Sequence, residues 1–150
     1  MTQQPAGGWL EGKVFYFPVR VYYEDTDFSG VVYHASYLRF MERGRSEFLR
    51  AAGAGHKELH RAKEPLVWAV RRMEIDFLKP ARIDDSLVVR TSVRELTGAR
   101  MRLEQGVSRG HEVLIKALCE ACVITLDGRP RRVPDAVRNE LESFVQNGNR

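Results

Sequence analysis

The strongest periodic pattern in the chain lies between residues 35 and 52, where apolar or small residues recur at steps of three and four. That spacing places them on one face of an α-helix. They are Tyr37, Met41, Gly44, Phe48 and Ala52. A glycine inside a helix costs roughly 1 kcal/mol relative to alanine, so Gly44 indicates that another element packs closely against this face. The pattern predicts a buried amphipathic helix from Ala35 to Ala52.

Strand patterns precede and follow this helix. Residues 14–22 form an apolar strand pattern in which Pro18, which has no N–H to donate, indicates a sheet edge or a bulge. From residue 66 onward, apolar and polar residues alternate with a period of two, interrupted by turn signals such as Thr97-Gly98. The alternation predicts four successive antiparallel strands, at residues 66–77, 87–96, 100–107 and 113–126.

The predicted strands need a cover for their apolar face. Only the helix at residues 35–52 is long and apolar enough, because the second amphipathic pattern, at residues 134–145, is short. We therefore predict an α+β fold in which a curved antiparallel sheet wraps around one long central helix. The pair Arg71-Arg72 separates a uniformly apolar run from an alternating one, which indicates either a bulge in the first of the four strands or a passage from a buried to an exposed segment.

A chain of 150 residues predicts a single domain, which we place at residues 13–147. Residues 1–12 are expected to form a flexible N-terminal lead-in. They contain neither the basic n-region nor the apolar h-region of a secretion signal. No run of about 18 apolar residues is present to span a membrane. The expected location is the cytoplasm.

The charge balance narrows the classes of ligand. The chain has 24 lysines and arginines against 20 acidic residues, a formal net charge of +4. This modest excess fits an anionic small ligand or an acidic carrier protein as well as it fits nucleic acid. No basic run interleaved with aromatic residues is present, which argues against binding to nucleic acid.

Two spacings invite a metal or redox interpretation. Cys119 and Cys122 form a C-x-x-C pair, but the surrounding pattern is a strand, whose period of two directs these side chains to opposite faces. His56 and His60 lie four residues apart, without a nearby acidic third ligand. We therefore predict two reduced cysteines, two solvated histidines and no metal site.

The segment before the helix carries the candidate chemistry. Asp27 precedes Phe28-Ser29-Gly30, and a loop of this kind before a helix can aim backbone N–H groups at one point, where the helix dipole favours negative charge. A carboxylate facing such donors is suited to the hydrolysis of an activated carbonyl. Aspartate also commonly caps a helix or binds its own loop, and the spacing alone favours this structural role.

A longer motif favours the catalytic role of Asp27 over the structural one. Residues 22–50, YYEDTDFSGVVYHASYLRFMERGRSEFLR, resemble the signature of the hotdog-fold acyl-CoA thioesterases. Within them the run is most similar to the 4-hydroxybenzoyl-CoA thioesterase-like branch and its members associated with the bacterial Tol–Pal cell-envelope cluster. A second block at residues 70–85, VRRMEIDFLKPARIDD, resembles the same branch. The resemblance implies a hotdog fold and hydrolysis of an acyl-CoA thioester to a free acid and coenzyme A. It also implies a homodimer or homotetramer with active sites at the subunit junction.

The resemblance also implies roles for two residues. Asp27 matches the family's catalytic aspartate, acting as nucleophile or as general base. His34 matches the position whose backbone N–H polarises the carbonyl, and in the Tol–Pal-associated branch its side chain is implied to assist. Glu42, on the predicted helix, corresponds to the acid of a sister branch and ranks well below Asp27. No cofactor is implied, since coenzyme A is part of the substrate and product.

Substrate contacts are assigned more loosely. Val32, Tyr33, Val67 and Trp68 are candidates for the acyl pocket, and nothing in the sequence ranks a short aliphatic acyl chain above a long or aromatic one. Coenzyme A carries a pyrophosphate and a 3′-phosphate, which basic side chains should meet. The candidates are Arg71, Arg72, Arg94 and Arg100. Arg100 is preferred because it follows the hairpin where the family carries a basic cluster, although this chain has Thr97-Gly98-Ala99 in the hairpin itself.

Two other functions compete with the thioesterase. One is a hotdog dehydratase acting on 3-hydroxyacyl thioesters, but its histidine belongs to a differently spaced loop that this sequence does not reproduce. The other is a non-catalytic module that binds an acyl-carrier protein or a partner in an envelope complex. Release of thiol from acyl-CoA separates the enzyme from the module.

Overall fold

The computed structural model of the chain describes residues 7–146. Its strands are β1 (Trp9–Glu11), β2 (Val14–Arg20), β3 (Leu66–Phe77), β4 (Ser86–Leu96), β5 (Arg100–Arg109), β6 (Glu112–Thr125) and β7 (Pro130–Arg131). Its helices are α1 (Ser36–Ala51), α2 (His56–His60) and α3 (Asp135–Glu142), with one turn of 3₁₀ helix at Tyr23–Asp25.

All seven strands belong to one antiparallel sheet, in the order β1-β2-β4-β5-β6-β3, with β7 paired to the end of β6. Strands β4, β5 and β6 follow one another as hairpins, whereas β3 pairs on the outside of β6. The prediction of successive antiparallel strands is confirmed. What the pattern did not show is that the first of them, β3, lies at an edge of the sheet.

Helix α1 covers one face of the sheet, as predicted, and its bounds differ from the prediction by one residue at each end. The five residues of its predicted apolar face are buried. Gly44 is packed so closely that a Cβ atom there would lie 2.8 Å from Cγ1 of Val89 in β4. This contact explains why a glycine stands in the middle of the helix, because only a residue without a side chain lets helix and sheet approach to this distance.

A polar network crosses the core between α1 and the sheet. Arg45, only 9% exposed, donates to Oε1 of Gln105 at 2.9 Å. The Nε2 of Gln105 donates in turn to the carbonyl of Met41 at 3.0 Å and to Oγ1 of Thr91 at 2.9 Å. Buried polar groups need partners of this kind. The network ties the middle of the helix to strands β4 and β5.

Several local features match the sequence analysis. Pro18 lies where β2 has no outer neighbour, because β1 pairs only with residues 14–16. The register of β3 against β6 shifts at Arg71, which confirms the bulge. Cys119 and Cys122 both lie in β6, the first buried and the second half-buried, and both are free thiols.

Other features differ from the prediction. Strand β2 ends at Arg20, two residues before the predicted end at Tyr22, where the chain enters the 3₁₀ turn. Trp9–Glu11 forms a short strand inside the segment expected to be a flexible lead-in. Residues 1–6 of that segment and residue 147 of the predicted domain lie outside the described residues. Among residues 7–146, no helix has the length and apolar character to cross a membrane.

Candidate active site

The loop that carries Asp27 is a small hairpin. Thr26 and Val32 form an antiparallel bridge, and the N–H of Asp27 donates to the carbonyl of Val31 at 2.9 Å. The turn closes when Gly30 donates its N–H to the carbonyl of Asp27 at 3.1 Å. Gly30 has φ +84°, a conformation that glycine adopts without the steric cost of a side chain. The hairpin therefore presents Asp27 at the start of a tight turn.

The carboxylate of Asp27 is bound within its own loop. Its Oδ1 accepts hydrogen bonds from Oγ of Ser29 at 2.5 Å and from the N–H of Ser29 at 2.8 Å. These two bonds, the side-chain bond first, lower the pKa of Asp27 below its ordinary value of 3.8. Asp27 is therefore ionised at neutral pH, and it is half-buried in the single chain.

The beginning of α1 lacks the usual caps. Its N-cap residue, Ala35, has no side chain that can accept a hydrogen bond, and no acidic residue stands in the first turn. Within residues 7–146, neither the N–H of His34 nor that of Ala35 donates a hydrogen bond. Free N–H groups at the positive end of a helix dipole form a site for negative charge. Such a site can stabilise the oxyanion that forms on a thioester carbonyl.

A cavity of about 290 Å³ lies beside this helix start. It is lined by Val32, His34, Tyr37, Phe77, Leu78, Lys79 and Pro80. The ring of His34 lies 4.5 Å from that of Tyr33 and 6.4 Å from that of Phe77, measured between ring centroids. The walls are largely apolar, with polar atoms confined to a few side chains, which is typical of sites for small organic groups.

The candidates for the acyl pocket are divided between two places. Val32 lines the cavity beside His34, and Tyr33 is half-exposed next to His34. Val67 and Trp68 lie on β3, and Trp68 lines a second cavity of about 70 Å³ together with Glu42 and Arg45. The indole N–H of Trp68 donates to the carbonyl of Ala54 at 3.1 Å, which fixes the ring against the segment after α1. Within one chain, the cavity beside His34 and the cavity beside Trp68 share no lining residue.

The arginine candidates are engaged in ion pairs and do not line the cavity beside His34. Arg71 contacts Glu120 at 2.6 Å, and Arg100 lies 3.9 Å from the same carboxylate. The hydrogen bond from Arg71 is the main reason that the pKa of Glu120 lies below its ordinary value. Arg72 pairs with Glu74 at 2.6 Å.

Several lining residues were missed by the sequence analysis. Phe77 is the last residue of the alternating pattern of β3, and Leu78, Lys79 and Pro80 begin the predicted turn that follows it. Their signal was the apolar pair Phe77-Leu78 at the junction of strand and turn, because exposed apolar patches can mark ligand-binding grooves. The role of Ser29 as a hydrogen-bond donor to Asp27 was also not predicted.

A third cavity lies on the face of the sheet that α1 does not cover. Its volume of about 300 Å³ is similar to that of the cavity beside His34. Its walls include charged side chains of both signs, among them Glu74, Arg90 and Lys116. Asp27 lines neither this cavity nor the one beside His34, whereas His34 lines the latter. The cavity beside His34 is therefore the better candidate for the chemistry, since it adjoins the free amide groups.

A curved antiparallel sheet around one long helix is the hotdog fold, and a carboxylate loop beside an uncapped helix start fits a hydrolase of activated carbonyls. The family model that matches residues 29–116 describes the thioesterase superfamily. The chain belongs to that superfamily.

Individual relatives agree with this assignment. The acyl-CoA thioesterase YbgC of Haemophilus influenzae is 43% identical over 125 residues, which cover 83% of this chain and 91% of that protein. The acyl-CoA thioester hydrolase YbgC of Escherichia coli is 37% identical over 135 residues, covering 89% and 99%. The crystal structure of a probable thioesterase from Bartonella henselae is 48% identical with a TM-score of 0.77, covering 81% of this chain and 99% of that one.

These comparisons confirm the resemblance, the hotdog fold and the enzyme class that the sequence indicated. The chain is a thioester hydrolase. The dehydratase and the non-catalytic module receive no support from these relatives, which are all described as thioesterases or thioester hydrolases.

Proposed function

We propose that this chain hydrolyses acyl-CoA thioesters to free acids and coenzyme A, with Asp27 as the catalytic carboxylate and the backbone N–H of His34 as the group that polarises the carbonyl. The observation that carries this proposal is the uncapped start of α1, where the N–H of His34 makes no hydrogen bond within the described residues and His34 lines an apolar cavity. The similarity to proteins described as acyl-CoA thioesterases supports the substrate class.

The reaction needs one negative charge and one oxyanion site. The carbonyl oxygen of the thioester accepts a hydrogen bond from His34 N–H, which also stabilises the oxyanion of the tetrahedral intermediate. Asp27 either attacks the carbonyl carbon, giving an anhydride that water then hydrolyses, or takes a proton from the attacking water. In both routes the C–S bond breaks, coenzyme A leaves as a thiolate, and the thiolate takes up a proton.

The leaving group explains why so few residues suffice. A thiol has a pKa of about 8.5, so its thiolate departs without a strong general acid. No cofactor takes part in this scheme, because coenzyme A belongs to the substrate. The side chain of His34 is proposed to assist by orienting water or by hydrogen bonding to the substrate.

The experiment that tests this function measures thiol release from a panel of acyl-CoAs of increasing length, including aromatic acyl groups, with a chromogenic thiol reagent. Turnover of at least one substrate, at a rate proportional to enzyme concentration, is the expected result. Formation of a 2-enoyl product from a 3-hydroxyacyl-CoA without thiol release would favour the dehydratase. Absence of any turnover across the panel would favour the non-catalytic binding module.

The pH dependence follows from the lowered pKa of Asp27. A depressed pKa means that the carboxylate stays ionised as the pH falls, and that activity which depends on it is lost only below 3.8. We expect kcat/KM between about pH 5 and pH 8 to show no acid limb from Asp27. The measurement is a pH profile at constant ionic strength for the wild type and for His34→Gln. An acid limb near pH 5 to 6 that persists in His34→Gln would contradict this assignment.

The outer edge of β3 supports a homodimer. This 12-residue strand pairs only with β6, which leaves the backbone groups of its other edge without a strand neighbour within residues 7–146. Val70 and Phe77 on this strand are 49% and 53% exposed. A long apolar edge strand is a template for pairing with another chain. We propose that two copies pair along β3, and a tetramer stays open as a higher assembly.

A lysine at position 70 provides the test of the dimer. We expect Val70→Lys to weaken self-association by at least about tenfold, because it places an ammonium group from each copy in the proposed interface, where it loses water. Sedimentation velocity over a range of micromolar concentrations measures the shift from dimer to monomer. Leu126→Lys is the control, since Leu126 is 65% exposed just after the end of β6, beyond the last residue of β6 that pairs with β3. A wild type that sediments as a monomer throughout this range would refute the dimer.

Three further assignments extend the proposal. Arg71, Arg72 and Arg100 are proposed to contact the phosphates of coenzyme A, with Arg72 the most exposed of the three at 69%. The net charge of +4 and the resemblance to the Tol–Pal-associated branch support an acyl-carrier protein or envelope-associated partner in addition to acyl-CoA. The proposed location is the cytoplasm.

A further inference from the structure

Ser36 in the first turn of α1 donates from its Oγ to the carbonyl of Asp25 at 3.0 Å, just before the Asp27 hairpin, and the hairpin itself is bound by a connector, residues 79–85, in the segment that links β3 to β4. Val32 donates its N–H to the carbonyl of Ala81 at 2.8 Å, and Ile83 donates its N–H to the carbonyl of Gly30 at 3.3 Å. Val31 and Arg82 form an isolated antiparallel bridge between these contacts. The position of the hairpin therefore depends on the position of the connector.

The connector does not have a relaxed conformation of its own. Asp84 has φ +69°, the only positive φ at a residue other than glycine among residues 7–146. A side chain in this conformation needs support from its surroundings. Part of this support comes from β2, because Asp84 N–H donates to the carbonyl of Val21 and Arg20 Nη1 donates to the carbonyl of Asp84.

Arg82 and Asp85 also bind each other within the connector, where Arg82 N–H donates to Oδ2 of Asp85 at 2.8 Å. Further support comes from Arg109 at the end of β5. Its Nη1 donates to Oδ2 of Asp85 at 2.7 Å and to the carbonyl of Pro80 at 3.3 Å, so one guanidinium holds both ends of the connector. Its Nη2 donates to Glu112 at 2.5 Å, and Glu112 accepts from Lys79 at 2.9 Å. The planar fork of arginine makes such simultaneous contacts possible, whereas lysine has a single donor atom.

Tyr37 joins the same connector to the helix. It lies in the first turn of α1, is 3% exposed, and its hydroxyl accepts a hydrogen bond from the N–H of Ala81 at 3.0 Å. Ala81 therefore binds both elements: its carbonyl accepts from the Asp27 hairpin, and its N–H donates to the first turn of α1. Ala81 is completely buried, so these contacts are shielded from water.

We propose that Tyr37 and Arg109 are positioning residues for the proposed thioester hydrolysis, because together they hold residues 79–85 and thereby set the distance between the Asp27 carboxylate and the free N–H groups at the start of α1. The expected effect on catalysis rests on the proposed function, whereas the attachment of the hairpin through these two residues does not. Near-attack geometry is sensitive to displacements of about 1 Å, so a loosened connector lowers the rate of the chemical step.

The test uses Arg109→Gln and Tyr37→Phe in the full-length protein. We expect kcat to fall by about tenfold or more in each variant, with KM changed by less than about threefold, since the polar groups removed are bound to the connector, the Tyr37 hydroxyl to Ala81 and the Arg109 guanidinium to Pro80 and Asp85. Arg109→Lys should have a kcat above that of Arg109→Gln but below that of the wild type. Arg102→Gln is the matched control, because Arg102 pairs with Glu95 on the surface at 3.5 Å, distant from the connector, and its removal should leave kcat unchanged.

A second measurement distinguishes positioning from general stability. Amide hydrogen exchange, followed by NMR, should become faster at Val32 and Ile83 in both variants by about tenfold or more, while core amides of β5 keep their wild-type rates. Acceleration of exchange throughout the sheet would overturn the proposal, as would unchanged exchange at Val32 and Ile83. If the wild type hydrolyses no acyl-CoA, the proposed function fails, and the exchange measurement alone still decides whether Tyr37 and Arg109 hold the hairpin.

Discussion

Replacement of Asp27 by asparagine is expected to reduce kcat/KM for acyl-CoA by about a hundredfold to ten-thousandfold. Asparagine has nearly the same shape but carries no charge, so it can neither attack the thioester carbonyl as a nucleophile nor accept the proton of a water molecule. Its side-chain oxygen can still accept the hydrogen bonds from Ser29 that hold the turn. We therefore expect the loss to appear in turnover, while the thermal unfolding midpoint stays close to that of the wild type.

The control for this experiment comes from the same loop. Glu24→Gln removes one negative charge from an exposed residue three positions earlier and should leave kcat/KM within about twofold of the wild type. Both variants are assayed with the acyl-CoA that the wild type hydrolyses fastest. Equal losses in the two variants would mean that the general charge of the loop matters and that Asp27 has no specific role. Full activity in Asp27→Asn would move the search to another acid, with Glu42 next.

Periodicity in the sequence predicted the helix and the long strands because each of them buries one face. Leu87, Val89 and Val93 alternate with exposed residues in β4, and all three are at most 1% exposed. The same reasoning places Tyr37 and Phe48 on the buried face of α1. Such patterns are readable because a slip of one residue in a strand would expose its whole apolar side.

Other parts of the fold depend on contacts between distant segments and leave no periodic trace. Arg45 stands in the buried face of α1 although arginine is usually exposed, and only its bond to Gln105, 60 positions away, accounts for this. Strand β1, Trp9–Glu11, is three residues long and forms because β2 offers an edge to it. Neither feature has a local signature strong enough to predict.

The candidate site likewise has parts that a local motif predicted and parts that depend on contacts between distant segments. Asp27 and His34 were identified by the motif in which they stand. The cavity next to His34 was not, because its wall at residues 77–80 comes from the far end of β3, more than 40 positions along the chain. The lowered pKa of Asp27 was also not predicted, since it depends on the conformation in which Ser29 closes the turn. Sequence motifs name catalytic candidates, whereas long-range pairing builds the pocket around them.

The second large effect is expected from Gly44→Val, which should lower the free energy of unfolding by about 3 kcal/mol. The first side-chain atom would lie 2.8 Å from Cγ1 of Val89, closer than the 3.5–4.0 Å that two carbon atoms prefer. Val89 is fully buried and has no free space into which to move. Urea unfolding at a fixed protein concentration measures the loss. Arg43→Val, at the neighbouring exposed position of α1, shows the effect of a valine in this helix without the contact to β4 and should cost only about 0.5 kcal/mol.

A double-mutant cycle shows whether the contact with Val89 is the cause. Gly44→Ala combines a gain in helix propensity of roughly 1 kcal/mol with an overpacking cost of about 1–3 kcal/mol. Val89→Ala alone leaves a small cavity, but in the Gly44→Ala background the new methyl group occupies part of that space. We therefore expect the double variant to be more stable than the sum of the single effects predicts, with a coupling energy of about 0.5–3 kcal/mol. Strictly additive free-energy changes in this cycle would mean that helix and sheet do not meet at Gly44. Equal unfolding midpoints for Gly44→Val and Arg43→Val would lead to the same conclusion.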